Sequence, residues 1–186
     1  NTLSCASCHD LAKGGDDGLP RSIGIAGKEG KINAPTVFNS GFNFRQFWDG
    51  RAATLEDQID FPMQNPDELG TTMAEIIAKL KLDQTYRREF ADIYQDDIES
   101  QHIKNAIATF ERSLITPNSK FDQFLRGDDD ILHKDELAGY QLFKKLGCIS
   151  CHQGMNIGGN IYEKFGLAND YFADRGNVQE VDYGRY

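Results

Sequence analysis

The stretch that decides the fold is Cys5-Ala6-Ser7-Cys8-His9. The same Cys-x-x-Cys-His pattern occurs once more, near the other end of the chain, as Cys148-Ile149-Ser150-Cys151-His152. The pattern is typical of covalent haem c attachment, in which both thiols bond to one haem and the histidine that follows ligates its iron. Since the two copies use all four cysteines of the chain, the sequence predicts two haem c groups.

The cysteines leave two other interpretations open, structural disulfides and a zinc site. A Cys-x-x-Cys pair is too close in sequence to form a disulfide easily outside a redox motif, and neither copy lies in a βαβ pattern. Zinc ribbons hold their two pairs across a short loop, whereas these pairs lie near opposite ends of the chain. We therefore favour haem attachment and keep zinc and disulfides as the alternatives.

Composition narrows the classes of partner. The chain has 186 residues, a hydrophobic content of 39% and a formal net charge of -9. This hydrophobic content is low for a core of ordinary size, and two haems would supply apolar bulk. The negative charge argues against nucleic acid as a partner and suits docking to a basic or mixed-charge redox protein, although simple solubility explains it as well.

The sequence also predicts where the protein resides. It contains no run of about 18 apolar residues, so no transmembrane segment is expected. Haem c is attached outside the cytoplasm, which predicts a secreted, periplasmic protein. Because the first haem motif follows Asn1 so closely, we expect the natural chain to start earlier, with a leader that is absent here.

Helical signals dominate the middle of the chain. Residues 10 to 35 are glycine-rich and aperiodic, which predicts a long ordered loop. Helix-start signals occur at Thr54, Thr72 and Asp83, and apolar spacing predicts further helices. No strand pattern of useful length is present, and residues 153 to 186 are expected to form loops.

These patterns predict an all-α fold. We expect two cytochrome c-like domains, each wrapping one covalently attached haem c with a few helices and long irregular loops. Gly127 and the acidic run after it mark a charged break near the domain boundary. We assign residues 1–117 to an N-terminal haem domain and residues 118–186 to a C-terminal haem domain that is incomplete at its end.

The chain resembles the bacterial dihaem cytochrome c peroxidases over nearly all of its length. Its two haem motifs are joined by the blocks Asp10-Leu11-Ala12-Lys13-Gly14-Gly15, Asn33-Ala34-Pro35-Thr36, Phe47-Trp48-Asp49-Gly50-Arg51-Ala52, Asn65-Pro66-Asp67-Glu68 and Phe110-Glu111-Arg112. The family's proteins are longer at both ends, so we expect this chain to be part of such an enzyme.

The resemblance implies an oxidoreductase that reduces hydrogen peroxide to water. Its electrons would come from a small soluble redox protein such as a cytochrome c or a cupredoxin. In the family, electrons enter at the C-terminal haem and peroxide reacts at the N-terminal haem. Ligand chemistry agrees, since Met/His ligation raises a haem's reduction potential and an open His-ligated iron can react. Family members are commonly dimers, so the resemblance also suggests a homodimer.

The resemblance assigns roles to five residues. His9 and His152 match the proximal ligands of the peroxidatic and electron-transfer haems. Glu68 matches the distal acid–base carboxylate, and Gln58 matches a distal hydrogen-bonding residue. Trp48 matches an indole between the haems that would relay electrons. Taken alone, Glu68 reads as an ordinary helix-start carboxylate and Trp48 as a core ring.

A calcium ion is a further expectation from the resemblance. Asn33 matches the side-chain ligand of a calcium ion at the domain junction, and an oxygen-rich site suits calcium. The ion's other protein ligands in the family lie in a stretch beyond Tyr186.

The chain departs from the family at two axial positions. Many members carry a histidine that ligates the resting peroxidatic iron, and the matching position here is Ile25, which cannot ligate. His102 and His133 are expected at the surface. We therefore hypothesise a peroxidatic iron that is five-coordinate or water-bound without prior reduction. In the family, the axial methionine of the second haem matches a position past the end of this chain. Met155, three residues after His152, is too close to reach round the ring.

Three competing functions stay open. The first is a dihaem oxidase of the same fold that modifies tryptophans of a partner protein; those relatives also lack the loop histidine, and their second haem carries a tyrosine at a position outside this chain. The second is a non-enzymatic dihaem electron carrier, against which Glu68 and Gln58 in register with Trp48 argue. The third is a zinc-stabilised helical domain.

Overall fold

Helices make up most of the regular structure. The structure, a computed structural model, describes residues 3–166 and 169–185. In this part of the chain the helices are α1 Leu55–Gln58, α2 Asp60–Gln64, α3 Met73–Leu82, α4 Gln84–Tyr94, α5 Ser100–Ser113, α6 Lys120–Leu125, α7 Lys134–Lys145 and α8 Tyr171–Arg175. Strands β1, Glu163–Lys164, and β2, Gly184–Arg185, pair antiparallel. The mostly helical fold class is confirmed, whereas the division into two haem-wrapping domains stays a prediction.

Helices α1, α3 and α4 start at the predicted caps. The Thr54 hydroxyl accepts a hydrogen bond from the backbone N–H of Asp57 at 3.1 Å. At α3, the Thr72 N–H donates to the Glu75 carboxylate at 2.8 Å, and the Glu75 N–H donates to the Thr72 hydroxyl at 3.2 Å. Asp83 caps α4 in the same manner. Each cap satisfies N–H groups that a helix start leaves unpaired, which stabilises a helix by about 1 kcal/mol.

A small core joins α1 and α2 to α5. Its buried apolar side chains are Leu55, Ile59, Met63, Ile98, Ile103 and Ala108. Ion pairs add to this packing at the rim, where Arg112 bonds both oxygens of Glu56 at 2.7 and 2.9 Å and Lys104 contacts Asp60. This core holds α2 in place, and α2 leads directly into the segment that carries Glu68.

The last part of the chain has more regular structure than the sequence predicts. Instead of continuous loop, it contains α8 and the β1–β2 ribbon. The Asp170 side chain accepts a hydrogen bond from the Ala173 N–H at 3.1 Å and so starts α8. A five-residue helix is too short to produce an apolar period in a sequence rich in glycine and asparagine. Within residues 3–166 and 169–185, no helix is long and apolar enough to cross a membrane.

Candidate functional site

The two Cys-x-x-Cys-His motifs fold alike. Cys5–Ser7 and Cys148–Ser150 each form one 3-10 turn. In both turns the N–H of the histidine donates to the carbonyl of the first cysteine at 2.9 Å. Side chains three residues apart lie on one face of a 3-10 turn, so each motif presents its two thiols on the same side.

Backbone carbonyls orient both imidazoles. Nδ1 of His9 lies 3.2 Å from the Gly15 carbonyl oxygen, and Nδ1 of His152 lies 3.1 Å from that of Ile157. A carbonyl only accepts, so Nδ1 carries the proton and Nε2 stays free to ligate a metal. Gly15 is required for this approach, because a Cβ there would lie 2.7 Å from the Thr36 hydroxyl.

The cysteines form neither of the alternative sites within the described residues. All four thiols are free. In residues 3–166 and 169–185, no group of three or more candidate ligands close enough to hold a metal ion includes a cysteine. Desolvation raises the pKa of the Cys5 thiol, and the Glu111 carboxylate adds to this rise.

The residues around the motifs fit a covalently attached haem. Exposed apolar side chains lie close in sequence to each motif, where a flat apolar group would cover them; they include Leu11, Ile23, Leu146 and Ile149. Free thiols paired at the right spacing and an imidazole with an available Nε2 complete the donor set that haem c requires. Met155, which we did not expect to act as a ligand, is 77% exposed.

Glu68 lies close to the first motif. Burial raises the pKa of the Cys8 thiol, and the negative charges of Asp17 and Glu68 add to the rise. Glu68 follows α2 on a tight turn, and its Oε1 accepts a hydrogen bond from the Asn65 side-chain nitrogen at 2.7 Å. The carboxylate lines a cavity of about 380 Å³. The cavity wall consists of Phe47, Arg51, Asp60, Phe61, Gln64, Asn65, Pro66 and Glu68.

The loop that carries Ile25 packs directly on the Glu68 turn. The Ile25 N–H donates to the Glu68 carbonyl at 2.7 Å. Lys28 donates to the Pro66 carbonyl at 3.0 Å and lies 3.4 Å from the Asp67 carboxylate. A Cβ on Gly24 would lie only 1.9 Å from the Asp67 carbonyl oxygen. The first haem motif's loop and the candidate acid–base residue therefore form one packed unit.

Two predicted site residues lie outside this cavity. Gln58 ends α1 and is half-buried, but it does not line the cavity that holds Glu68. Trp48 is 43% exposed in the protein chain. Its indole packs edge-to-face on Phe165 with ring centroids 6.0 Å apart. The predicted roles of Gln58 and Trp48 stay predictions.

The candidate calcium ligand Asn33 and the histidines outside the haem motifs differ in exposure and contacts. Asn33 is exposed, and its side-chain nitrogen donates to the Leu19 carbonyl at 2.7 Å, which leaves Oδ1 as the oxygen available to a cation. His133 is exposed as expected and starts α7. His102 is not a plain surface residue, because it is half-buried and stacks on Tyr94 with ring centroids 4.5 Å apart.

Arg51 is a site residue that sequence reasoning missed. Its guanidinium lies 3.6 Å from the centroid of the Phe47 ring and bonds Asp49 at 2.9 Å. The side chain thereby forms a fixed cationic wall of the cavity that contains Glu68. Arg51 belongs to the Phe47–Ala52 block that carries the family resemblance, so the sequence marks it as a residue of interest. The sequence does not indicate that Arg51 lies near the segment after α2.

The helical fold and two haem-attachment motifs define a multihaem c-type cytochrome. A model of the di-haem cytochrome c peroxidase family matches residues 1–130, and the chain belongs to that family. It is 48% identical to cytochrome c peroxidase Ccp of Escherichia coli, over 100% of this chain and 40% of the relative. It is 46% identical to cytochrome c551 peroxidase of Nitrosomonas europaea, over 91% of this chain and 51% of the relative.

Solved structures share the fold. The crystal structure of a MauG-like protein associated with microbial copper homeostasis matches with a TM-score of 0.77 at 30% identity. The match covers 89% of this chain and 53% of that one. The chain thus spans about half the length of the relatives it matches.

Proposed function

We propose that the full-length protein is a dihaem peroxidase that reduces hydrogen peroxide to water. The observation that carries the proposal is the position of Glu68, which lines a cavity and whose carbonyl accepts a hydrogen bond at 2.7 Å from Ile25 in the loop after the first haem motif. Membership in the di-haem cytochrome c peroxidase family and two peroxidase relatives at 46% and 48% identity support it.

Cys5 and Cys8 would hold the peroxidatic haem with His9 as its ligand, and Cys148, Cys151 and His152 would hold the electron-transfer haem. When bound, the two haems supply the iron centres through which two electrons reach peroxide. Glu68 moves the protons: its carboxylate accepts one from the nearer peroxide oxygen and returns it to the farther one. With two electrons and two protons taken up, the O–O bond breaks and two waters form.

We further propose that the peroxidatic iron is open to peroxide without prior reduction of the other haem. Ile25, which stands at the position of the family's blocking histidine, has no group that ligates iron. Its loop is tied to the Glu68 turn by the Ile25 N–H, and Gly24 leaves no space between the two segments. A loop packed in this manner supports a site that is already assembled in the resting protein.

The electron donor and the location are also proposals. We propose a periplasmic protein, because haem c is attached outside the cytoplasm. The formal net charge of -9 suits a small donor with a basic face, such as a cytochrome c or a cupredoxin. A calcium ion at Asn33 and a homodimer remain predictions from the family resemblance.

Substitution of Glu68 tests the proposed activity. Peroxide turnover by the haem-loaded full-length protein, with a reduced small cytochrome as donor, is expected to fall about 10²- to 10⁴-fold in Glu68→Gln. Asp67→Asn is the matched control, because it neutralises the neighbouring carboxylate, which faces Lys28 and does not line the cavity. Turnover that survives Glu68→Gln unchanged would remove Glu68 from the chemistry.

An oxidase that modifies a partner protein is the second candidate. Ile25 and the match to a MauG-like structure favour it over a simple electron carrier. Negligible steady-state peroxide turnover, together with a long-lived two-electron oxidised state after one equivalent of peroxide, would identify the oxidase. Rapid turnover with a reduced cytochrome would identify the peroxidase.

A further inference from the structure

Asn65 is the centre of the turn that presents Glu68. Its backbone carbonyl accepts hydrogen bonds from the N–H groups of Glu68 and Gly70, both at 3.0 Å. Its backbone N–H donates to the Phe61 carbonyl at 3.0 Å and so ends α2. The turn is therefore built around Asn65, and its side chain lies inside the turn with Glu68.

The orientation of the Asn65 amide is fixed by its surroundings. Oδ1 accepts a hydrogen bond from the Asp67 N–H at 3.0 Å. A backbone N–H is only a donor, so the oxygen of the amide must face it. The nitrogen therefore faces Glu68, and Nδ2 donates to Oε1 at 2.7 Å. Since the acceptor is a carboxylate, this hydrogen bond is of the strong, charge-assisted kind.

The other charged groups of the cavity are engaged elsewhere. Arg51 is bonded to Asp49, and Asp60 is paired with Lys104. Within the described ranges, Asn65 makes the one hydrogen bond to the Glu68 carboxylate, and Oε2 is left without a hydrogen-bond partner. The two carboxylate oxygens are thus unequal, because the turn holds Oε1 by a hydrogen bond and leaves Oε2 free of one.

We propose that Asn65 is the positioning residue for Glu68: it holds Oε1 and leaves Oε2 as the oxygen that exchanges protons with the substrate. This inference rests on the proposed function of Glu68. Asn65 itself touches no reacting atom. A carboxylate with one oxygen fixed cannot rotate out of line, and misplacement of a catalytic group by about 1 Å can cost about 10²-fold in rate.

Asn65→Asp is the sharpest variant. Aspartate keeps the oxygen that accepts from the Asp67 N–H, so the turn retains that bond, but it places a second carboxylate oxygen against Glu68 in place of the donor. Asn105→Asp is the matched control: Asn105 is exposed on α5, and its Oδ1 accepts from the Tyr94 hydroxyl, a role that aspartate also fills.

Two measurements on the haem-loaded full-length protein test the proposal. In steady state, Asn65→Asp is expected to lower kcat for peroxide about 10- to 100-fold with KM within about twofold. Independently of turnover, the rate of cyanide association, followed by the Soret band, is expected to fall about tenfold, because the distal base accepts the proton of hydrogen cyanide. Asn105→Asp should change neither rate.

A double variant separates positioning from a merely structural role. If Asn65 acts through Glu68, Asn65→Asp in a Glu68→Gln background should cost no further activity or cyanide-association rate beyond about twofold. An additional tenfold loss in that background, or wild-type rates in Asn65→Asp alone while Glu68→Gln is impaired, would overturn the proposal and leave the proposed function standing. If Glu68→Gln itself has wild-type rates, the proposed function fails with it.

Discussion

The two haem-attachment motifs have the same local geometry and different surroundings. Their 3-10 turns match, and their histidine Nδ1 atoms lie 3.2 and 3.1 Å from a carbonyl oxygen. His9, however, is half-buried beneath a glycine-rich loop, whereas His152 is exposed, as are most residues from 151 to 160. The five residues of each motif therefore determine haem attachment. The reactivity of each haem depends on the residues that the fold places around its motif.

The first motif lies near the candidate acid–base residue Glu68, and the second is followed by a segment with aromatic contacts. The Ile25 loop and the Glu68 turn pack together near Cys8. The segment after the second motif instead contacts residues 39–50, where Arg45 donates to the Tyr162 hydroxyl at 3.2 Å and Trp48 packs on Phe165. This difference predicts a reactive centre at the first motif and an electron supply at the second.

Removing one haem at a time should give the largest effect. Cys5→Ser/Cys8→Ser and Cys148→Ser/Cys151→Ser are each expected to halve the c-type haemochrome absorbance, because each pair holds one haem. Both should abolish turnover with a cytochrome donor. Cyanide binding to the oxidised full-length protein distinguishes them: it should be lost in the first variant and kept in the second. The reverse pattern would exchange the roles of the two motifs.

A methyl group between the Ile25 loop and the Glu68 turn should give the next largest effect. Gly24→Ala places a Cβ 1.9 Å from a backbone carbonyl, so the two segments must separate. We expect a loss of about 1–3 kcal/mol in the free energy of unfolding, measured with denaturant, and a fall in peroxide turnover.

Gly139→Ala is the control for that substitution. A Cβ at Gly139 meets no atom within 4 Å, and the residue lies inside α7, so alanine should stabilise the protein by about 0.5–1 kcal/mol. Equal effects of the two substitutions would mean that the Ile25 loop is not docked on the Glu68 turn.

The smallest effect concerns Glu111, a half-buried carboxyl near Cys5 of the first motif. Burial and the nearby Glu56 raise the pKa of Glu111 from 4.5 to about 6. The folded state then binds more protons than the unfolded state between about pH 4.5 and 6, so this group's contribution to stability falls as pH rises through that window. Glu111→Gln should stabilise the protein by about 1 kcal/mol at pH 8, after allowance for solvent screening, and leave it unchanged at pH 4.5.

Thermal unfolding of Glu111→Gln and the unsubstituted protein at pH 8 and pH 4.5 tests this dependence of stability on pH. Glu89→Gln, an exposed carboxyl on α4, is the control and should show no such dependence on pH. An equal gain for Glu111→Gln at both pH values would show that the effect comes from packing and not from ionisation.

Local features of this fold could be predicted from the sequence. The haem motifs, the caps at Thr54, Thr72 and Asp83, and the helical middle of the chain depend on neighbouring residues and follow the expected patterns. The family resemblance supplied Glu68, which as a lone carboxylate would have gone unnoticed.

Long-range contacts could not be predicted. Nothing in the order of residues indicates that Gly24 lies against the Asp67 carbonyl, since that contact depends on how a loop without periodicity folds back. The amide of Asn65 looks like an ordinary turn residue until its two hydrogen-bond partners are seen. For Gln58 the family resemblance predicted a place in the same pocket as Glu68, but Gln58 does not line the cavity that Glu68 lines.

An EPR spectrum of the fully oxidised full-length protein tests the central claim most directly. With Ile25 in place of a ligating histidine, the haem on His9 should give a high-spin ferric signal that disappears in Cys5→Ser/Cys8→Ser, while the haem on His152 gives a low-spin signal. Two low-spin signals, one of them of the bis-histidine type and lost with Cys5 and Cys8, would contradict the account.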